Sequence, residues 1–384
     1  MTRICIHVQY LKGIGHLQRI GLIAEAAVRH DAEVHIISGG LPLPSFRPAG
    51  AVLHPLPPLQ AGPEGFRDLR DEKGQSIDHL WRNVRCKTLL KLFGEIKPDL
   101  LLIETFPFGR RMLGFELMPL LEAARTAIPK PVTVCSIRDI LQENRKAGRT
   151  RETLTRLNDY FDAVLVHGDP DFLALDKTFP STPDIRPPLY YTGIVAAPMP
   201  GGQPDVATPS DEIIVSIGGG AVGPRLLDAA IAARALLSPL ADKQWRLITG
   251  PHLPEDDFNR LKKKSPPGVT VERFRSDFRA LLGSAALSIS YAGYNTVADI
   301  LLTRTPAVLL CYSGEDGLES EQRLRAACLE KLGIARALDD SALTAETLAQ
   351  AITAALVLKP VPSLDIQLDG AKRSAALLIE LSKG

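Results

Sequence analysis

The chain has 384 residues, too many for one ordinary domain and comfortable for two α/β domains. Apolar residues make up 45% and charged residues 23%, a globular composition, and the net charge of +1 gives no electrostatic case for nucleic acid as a partner. Five dispersed cysteines, Cys5, Cys86, Cys135, Cys311 and Cys328, lack metal-ligand spacing and argue against a disulfide framework, so a reducing compartment is expected.

Short β-type runs alternate with helical stretches, the pattern of parallel α/β sheets. The N-terminal half predicts strands at Arg3–Val8, Glu33–Ser38, Asp99–Glu104, Val132–Ser136 and Ala163–His167, with helices at Leu17–Arg29, Ile77–Glu95 and Phe115–Thr126. The proline-rich stretch Pro42–Gly74 reads as a long irregular loop. Residues 196–211 are rich in Pro and Gly without periodicity and read as a linker. The C-terminal half predicts strands at Glu212–Ile217, Trp245–Thr249, Val269–Arg273, Leu287–Ser290 and Ala307–Leu310. Its helices are expected at Leu226–Leu236, Glu255–Lys264, Asp277–Ser284, Thr296–Leu302, Glu319–Leu332 and Ala345–Leu356. The expected organisation is therefore two Rossmann-like, doubly wound domains, 1–195 and 212–384, facing each other across a cleft, with the final helix a candidate to cross back to the first domain. The start of the chain lacks the apolar stretch of a signal peptide, and no apolar run approaches the ~20 residues of a spanning helix. The expected location is cytoplasmic. Peripheral membrane contact stays open, because His79 to Ile96 mixes Trp81, Leu89, Leu90 and Phe93 with Arg82, Arg85, Lys87 and Lys91.

Three turns could carry chemistry. The first strand runs into Gly13-Ile14-Gly15-His16 and then a helix, which permits close backbone approach to a ligand and sets His16 near a helix N-terminus. No Gly-Lys-Ser/Thr follows, so this is not a P-loop, and Arg19 follows Gln18 where a full dinucleotide fingerprint would have another glycine. A tight turn whose histidine merely caps or packs would read the same way. In the second half, a strand enters Gly218-Gly219-Gly220, which can bring amides onto a phosphate. A third strand ends before Gly293 and a helix that Asn295 or Thr296 could cap, with Asp299 one turn in and in reach of a ribose hydroxyl. Glu321 and Gln322 open a later helix.

Taken in order, the glycine loop Gly218–Gly220, Phe274-Arg275, the segment SYAGYNTVADI and SEQ-x-x-x-A before LEKLG resemble glycosyltransferase family 28. GxGHxxR at the N-terminus is shared with that family and with a related nucleotide-sugar hydrolase. The segment Glu104 to Leu141, with ETFPFGRR and CSIRDIL, is similar to a group of predicted glycosyltransferases. The resemblance implies a GT-B fold and a nucleotide-sugar donor, with UDP the expected nucleotide. It implies that Gly15, Gly218, Gly219, Gly220, Gly293, Asn295 and Thr296 belong to the donor site, most of them around the diphosphate. Phe274 and Arg275 would present backbone groups to the base. Asp299 would hold the ribose, where the family usually has Glu. Glu321 and Gln322 would touch the sugar, where members often have Gln at both positions.

An inverting transfer needs a base for the acceptor hydroxyl and stabilisation of the departing diphosphate, which helix N-termini can supply. His16 is the leading base candidate because histidine titrates near working pH, with Glu104 and Asp139 behind it. Arg110 and Arg111 could bind an anionic acceptor, or could be two solvated loop arginines. No Asp-x-Asp pair reads as a holder of a metal–diphosphate complex, so no metal and no cofactor are expected. The acceptor is unknown. A nucleotide-sugar hydrolase or epimerase, and a non-catalytic nucleotide-sugar-binding protein, would share the donor site.

Overall fold

The computed structural model describes all residues except 12–13, 64, 142–147, 198–209, 219–223, 238–242, 252, 313, 315–319, 359–364 and 384. Gly13, Gly219 and Gly220 therefore lie outside the described residues. The chain forms two compact units, one of Met1–Val195 with Ile366–Gly384, the other of Ala196–Asp365.

In the first unit, β1 (Arg3–Val8) leads into α1 (Gly15–Arg29), β2 (Glu33–Ser38) and β3 (Val52–Pro55). After a hairpin of β4 (Gln60–Gly62) and β5 (Gly65–Arg70) come α2 (His79–Ile96), β6 (Leu100–Glu104), α3 (Gly114–Thr126) and β7 (Val132–Arg138). Next come α4 (Arg149–Tyr160), β8 (Ala163–His167), the short α5 (Pro170–Leu173) and β9 (Leu189–Tyr191). The sheet is parallel, in the order β3-β2-β1-β6-β7-β8-β9. Its central strands β1, β6 and β8 are buried along nearly their whole length, which explains their near-continuous apolar sequences. The stretch expected to be one irregular loop instead contains β3 and the β4–β5 hairpin.

Helix α2 covers one face of this sheet through Leu89, Phe93 and Ile96. Arg85 is not a surface cation: it is fully buried and donates to Glu116 of α3 at 2.6 and 3.0 Å and to Gln9 Oε1 at 2.7 Å. Such a pair is costly to break from one side, so it locks α2 onto α3 and the end of β1. Leu80 and Val84 remain exposed. No helix among the described residues is long and apolar enough to cross a membrane.

The second unit contains β10 (Ile213–Ser216), α6 (Arg225–Leu236), β11 (Trp245–Ile248), α7 (Glu255–Lys264), β12 (Val269–Glu272) and α8 (Phe278–Ser284). It continues through β13 (Leu287–Tyr291), α9 (Tyr294–Thr303), β14 (Ala307–Cys311), α10 (Glu321–Lys331), β15 (Ala335–Asp339) and α11 (Ala345–Leu356). Its sheet is also parallel, in the order β12-β11-β10-β13-β14-β15. Helix α7 begins with Glu255, Asp256 and Asp257 and ends with Lys262, Lys263 and Lys264, a charge order that matches its dipole.

The final helix, α12 (Gly370–Leu381), belongs to the first unit and packs on α1, with Ala375 and Leu378 in the same apolar cluster as Leu17 and Ile20. The returning chain is pinned by the Gln367 amide, which donates to Asp169 at 2.8 Å, and by the Ile194 amide, which donates to the Gln367 carbonyl at 2.8 Å. Gly193, at φ +84°, permits this approach, because a Cβ there would lie 2.8 Å from the Gln367 oxygen.

Candidate active site

Strand order reverses at β1 in the first sheet and at β10 in the second, and ligands of open parallel sheets bind beyond the strand ends at such points. In the first unit the connections leaving β1 and β6 meet at that place. His16 is the second residue of α1, and Glu104 is the last residue of β6. His16 Nδ1 lies 2.7 Å from Glu104 Oε1. Arg19, one turn along the same helix face, donates through Nη2 to the same oxygen at 2.5 Å. Arg19 Nη2 also lies 3.4 Å from His16 Nδ1, so both groups converge on one carboxylate oxygen. The GHxxR spacing thus becomes geometry: residues three apart share a helix face, and both reach the neighbouring strand.

The Glu104 side chain has no exposed surface, whereas the His16 side chain is 20% exposed. Burial alone would raise the Glu104 carboxyl, but His16, Arg19 and Arg110 outweigh it and hold it well below the ordinary carboxylate range. Glu104 is therefore an anion that accepts hydrogens. That assigns the hydrogen to His16 Nδ1 and leaves Nε2 with a free lone pair. Burial pushes the His16 ring below its ordinary value; Glu104 pulls it up, and Arg19 and Arg110 push it down. The α1 N-terminus acts in the same direction, since the first turn holds no acidic residue and no side chain caps it. The result is a neutral imidazole at neutral pH with an ionised partner behind it.

The loop after Glu104 holds its shape in unusual backbone. Thr105 sits at φ +68° and Arg110 at φ +57°, a region that residues other than glycine adopt uncommonly, β-branched threonine least of all. The Thr105 amide donates to the Ser136 carbonyl at 2.7 Å, and the Gly109 amide to the Thr105 carbonyl at 2.9 Å. Arg110 faces Glu104, Arg19 and Arg138 electrostatically, while Arg111 turns away and donates to Thr153 Oγ1 of α4 at 2.9 Å. The two candidate acceptor arginines are thus split: one lies beside the His16 cluster, and the other fastens α4. Asp139, just past β7, is buried and takes the Ile140 amide on Oδ1 at 2.9 Å.

One Asp-x-Asp triplet does occur in the sequence, Asp169-Pro170-Asp171. Its first carboxylate is structural: Oδ1 caps the Asp171 amide at 2.9 Å, and Oδ2 takes the Gln367 amide. Two further histidines sit behind the site. His167 is fully buried, bonded to Ser136 Oγ at 2.7 Å and Thr192 Oγ1 at 2.9 Å. His7 is buried 3.9 Å from Glu116, and its ring nitrogens have no hydrogen-bond partner among the described residues. Burial pushes each ring down to about 3, so both stay neutral.

In the second unit the reversal point lies between β10 and β13. Gly218, at φ +67°, follows β10 and is exposed. Gly293 is the N-cap of α9, which starts at Tyr294, earlier than expected, with no side-chain cap. Asn295 and Thr296 therefore fall inside the first turn and do not cap it, correcting the sequence reading. A Cβ on Gly293 would meet none of the described residues within 4 Å, which leave the space before this helix end open. Asp299 is buried and accepts from Arg279 Nε at 2.6 Å; burial raises its carboxyl and Arg279 opposes the rise. Phe274, past β12, is 71% exposed, and the Arg275 side chain grips Asp277 at 2.7 and 2.8 Å. Gln322 accepts the Tyr312 amide at 3.1 Å, leaving its side-chain nitrogen as a donor. Glu321, buried at the first position of α10, lies 3.6 Å from Arg325.

Residues 214–362 match Glycosyltransferase family 28 C-terminal domain. The chain is 27% identical over 289 residues to the UDP-N-acetylglucosamine--N-acetylmuramyl-(pentapeptide) pyrophosphoryl-undecaprenol N-acetylglucosamine transferase of Rhizobium rhizogenes, covering 74% of this chain and 69% of that protein. A relative of the same description from Synechococcus sp. is 29% identical over 206 residues, and the match spans about half of each chain, 52%. Among solved structures, CalG4, the calicheamicin glycosyltransferase, aligns over 99% of this chain and 95% of its own with a TM-score of 0.62 at 15% identity. This likeness shows the fold, two Rossmann-like domains of the GT-B type.

Proposed function

We propose that this chain, a family 28-like glycosyltransferase of the GT-B fold, moves a sugar from a nucleoside-diphosphate donor to an acceptor hydroxyl, with inversion and without a divalent metal. The observation that carries the reading is the neutral His16 ring, oriented through Nδ1 by a buried, ionised Glu104 at the strand-order reversal of the first sheet. His16 Nε2 takes the proton of the acceptor hydroxyl as its oxygen bonds to the anomeric carbon, and the bond from that carbon to the diphosphate oxygen breaks. Glu104 stabilises the imidazolium that forms. It is a partner of the base rather than a rival for the role. Asp139 is buried, with its Oδ1 taken by the Ile140 amide, and is left out of the proton transfer.

Donor binding is assigned to the second unit. The uncapped N-terminus of α9 behind Gly293 offers amides and the positive end of a dipole to the diphosphate, which is what a metal would otherwise supply. Exposed Phe274, the Arg275 backbone, Asp299, Glu321 and Gln322 are assigned to the base, ribose and sugar, and Gly218 to the phosphates. The relatives' names specify a UDP-sugar, which supports UDP here. Arg110, held in place beside Glu104, is assigned to an anionic group of the acceptor.

A thermal-shift screen over nucleotide sugars tests the donor assignment: a ligand at 100 times its dissociation constant stabilises by about 2.7 kcal/mol. Turnover then persists in excess chelator, and the product anomer is inverted. Activity abolished by chelator and restored by Mg²⁺ or Mn²⁺ contradicts the metal-free mechanism. Rapid consumption of donor without acceptor would favour a hydrolase or epimerase.

A further inference from the structure

The motif GxGHxxR contains one residue that the transfer mechanism leaves without a task, Arg19. Its side chain is nearly fully buried, and its donor sits on the oxygen of Glu104 that His16 also uses, at 2.5 and 2.7 Å. A surface cation for solubility has no reason to be there. A purely structural arginine could pair with Glu104 from the side of Oε2, which is buried and has no hydrogen-bond partner among the described residues. Arg19 instead shares the histidine's acceptor and lies 3.4 Å from the imidazole.

We infer that Arg19 is a positioning residue that keeps His16 neutral and ready to accept a proton, by repelling a charge on the ring directly and by compensating the carboxylate oxygen that His16 leans on. The inference rests on the reading of His16 as the base. A carboxylate paired only with a histidine favours the imidazolium and would leave the base already protonated over part of the working range. Arg19 supplies a permanent positive charge to that carboxylate, which removes part of this pull and adds direct repulsion of a ring charge. The groups facing His16 among the described residues are Glu104 from β6, Arg19 from α1 and Arg110 from the loop after β6. Glu104 alone favours the charged ring. Arg138 faces Arg110, and the buried His7 and His167 stay uncharged, so neither histidine contests the balance.

The test is a pH titration of the His16 ring by ¹⁵N NMR in the full chain, its signals identified by their loss in His16→Gln. The wild-type midpoint falls below 6.5, the ordinary value. Arg19→Gln raises it, while Arg19→Lys, which keeps the charge, holds it near wild type. Removing Arg19 leaves a buried carboxylate short of a partner, and Arg19→Gln could fail to fold for that reason. The neutral pair then decides: the midpoint in Arg19→Gln/Glu104→Gln lies above that in Glu104→Gln alone. An unmoved midpoint in folded Arg19→Gln, or a double variant no higher than the single one, overturns the inference and leaves Arg19 as a structural partner of Glu104. The titration needs neither donor nor acceptor. Failure of the donor assignment would instead appear as unchanged nucleotide affinity in Gly293→Val, a separate result.

Discussion

The two sheets share one reversal of strand order and carry different kinds of residue at it. Where the order reverses in the first sheet, side chains dominate: His16, Arg19 and Arg110 gather around the buried carboxylate of Glu104. Where it reverses in the second sheet, backbone dominates: Gly218 at positive φ and Gly293 before an uncapped helix, with the nearby carboxylate of Asp299 already held by Arg279. On the proposed mechanism a titratable ring with a charged partner serves the proton, and backbone amides left uncovered by the glycines serve the diphosphate. The proposal thus divides base chemistry and phosphate chemistry between the residues of two equivalent turns.

The sharpest way to break that contrast is His16→Ala. It is expected to lose roughly 10²–10⁴-fold in turnover while binding nucleotide sugar almost normally, because a general base acts in the transition state and not in donor binding. Weakened donor binding with little loss of turnover would make His16 a phosphate contact. Glu104→Gln is next, with a loss on the order of 10²-fold as the imidazolium loses its partner. Glu104 raises the His16 value, so its removal moves the acid limb of the pH–rate profile to lower pH, opposite in sign to Arg19→Gln. An acid limb that stays put in Glu104→Gln would separate the two residues.

The smallest expected effect concerns stability. His7 and His167 are held at about 3 in the folded chain, against 6.5 ordinarily. Between these values the unfolded chain binds protons that the native chain does not, so stability falls as pH drops below about 6.5. Each ring contributes at most about tenfold in the unfolding equilibrium per pH unit. Melting of His167→Gln between pH 7.5 and 5.5 should show a shallower decline than wild type, and an identical decline would remove His167 from this account.

The sequence made His16 legible because a strand–glycine–helix turn fixes where the next side chain goes. Glu104 was legible only as a strand end: its pairing with a histidine 88 positions earlier depends on β1 and β6 being neighbours, which no local pattern states. The i, i+3 spacing of His16 and Arg19 could have signalled their shared face, but not the carboxylate between them. Helix α4 escaped because it is almost wholly polar, burying only Thr153 and Leu157, and β15 because an edge strand needs little apolar sequence. Asn295 or Thr296 suits a cap by residue type, but α9 begins one residue past Gly293, and backbone geometry overrides side-chain preference. Arg85 read as a surface charge and is buried, because its partner Glu116 comes from another helix.

The division of labour between the two turns is tested most directly by titrating UDP into wild type, Gly293→Val and His16→Ala by calorimetry. A valine at position 293 has room for its Cβ and an ordinary backbone angle, so folding is retained while the approach to the α9 N-terminus is blocked. UDP affinity should fall at least about tenfold, 1.4 kcal/mol, in Gly293→Val and stay near wild type in His16→Ala. Unchanged affinity in a folded Gly293→Val protein, or equal losses in both variants, would contradict the assignment of phosphate to the second unit and proton transfer to the first.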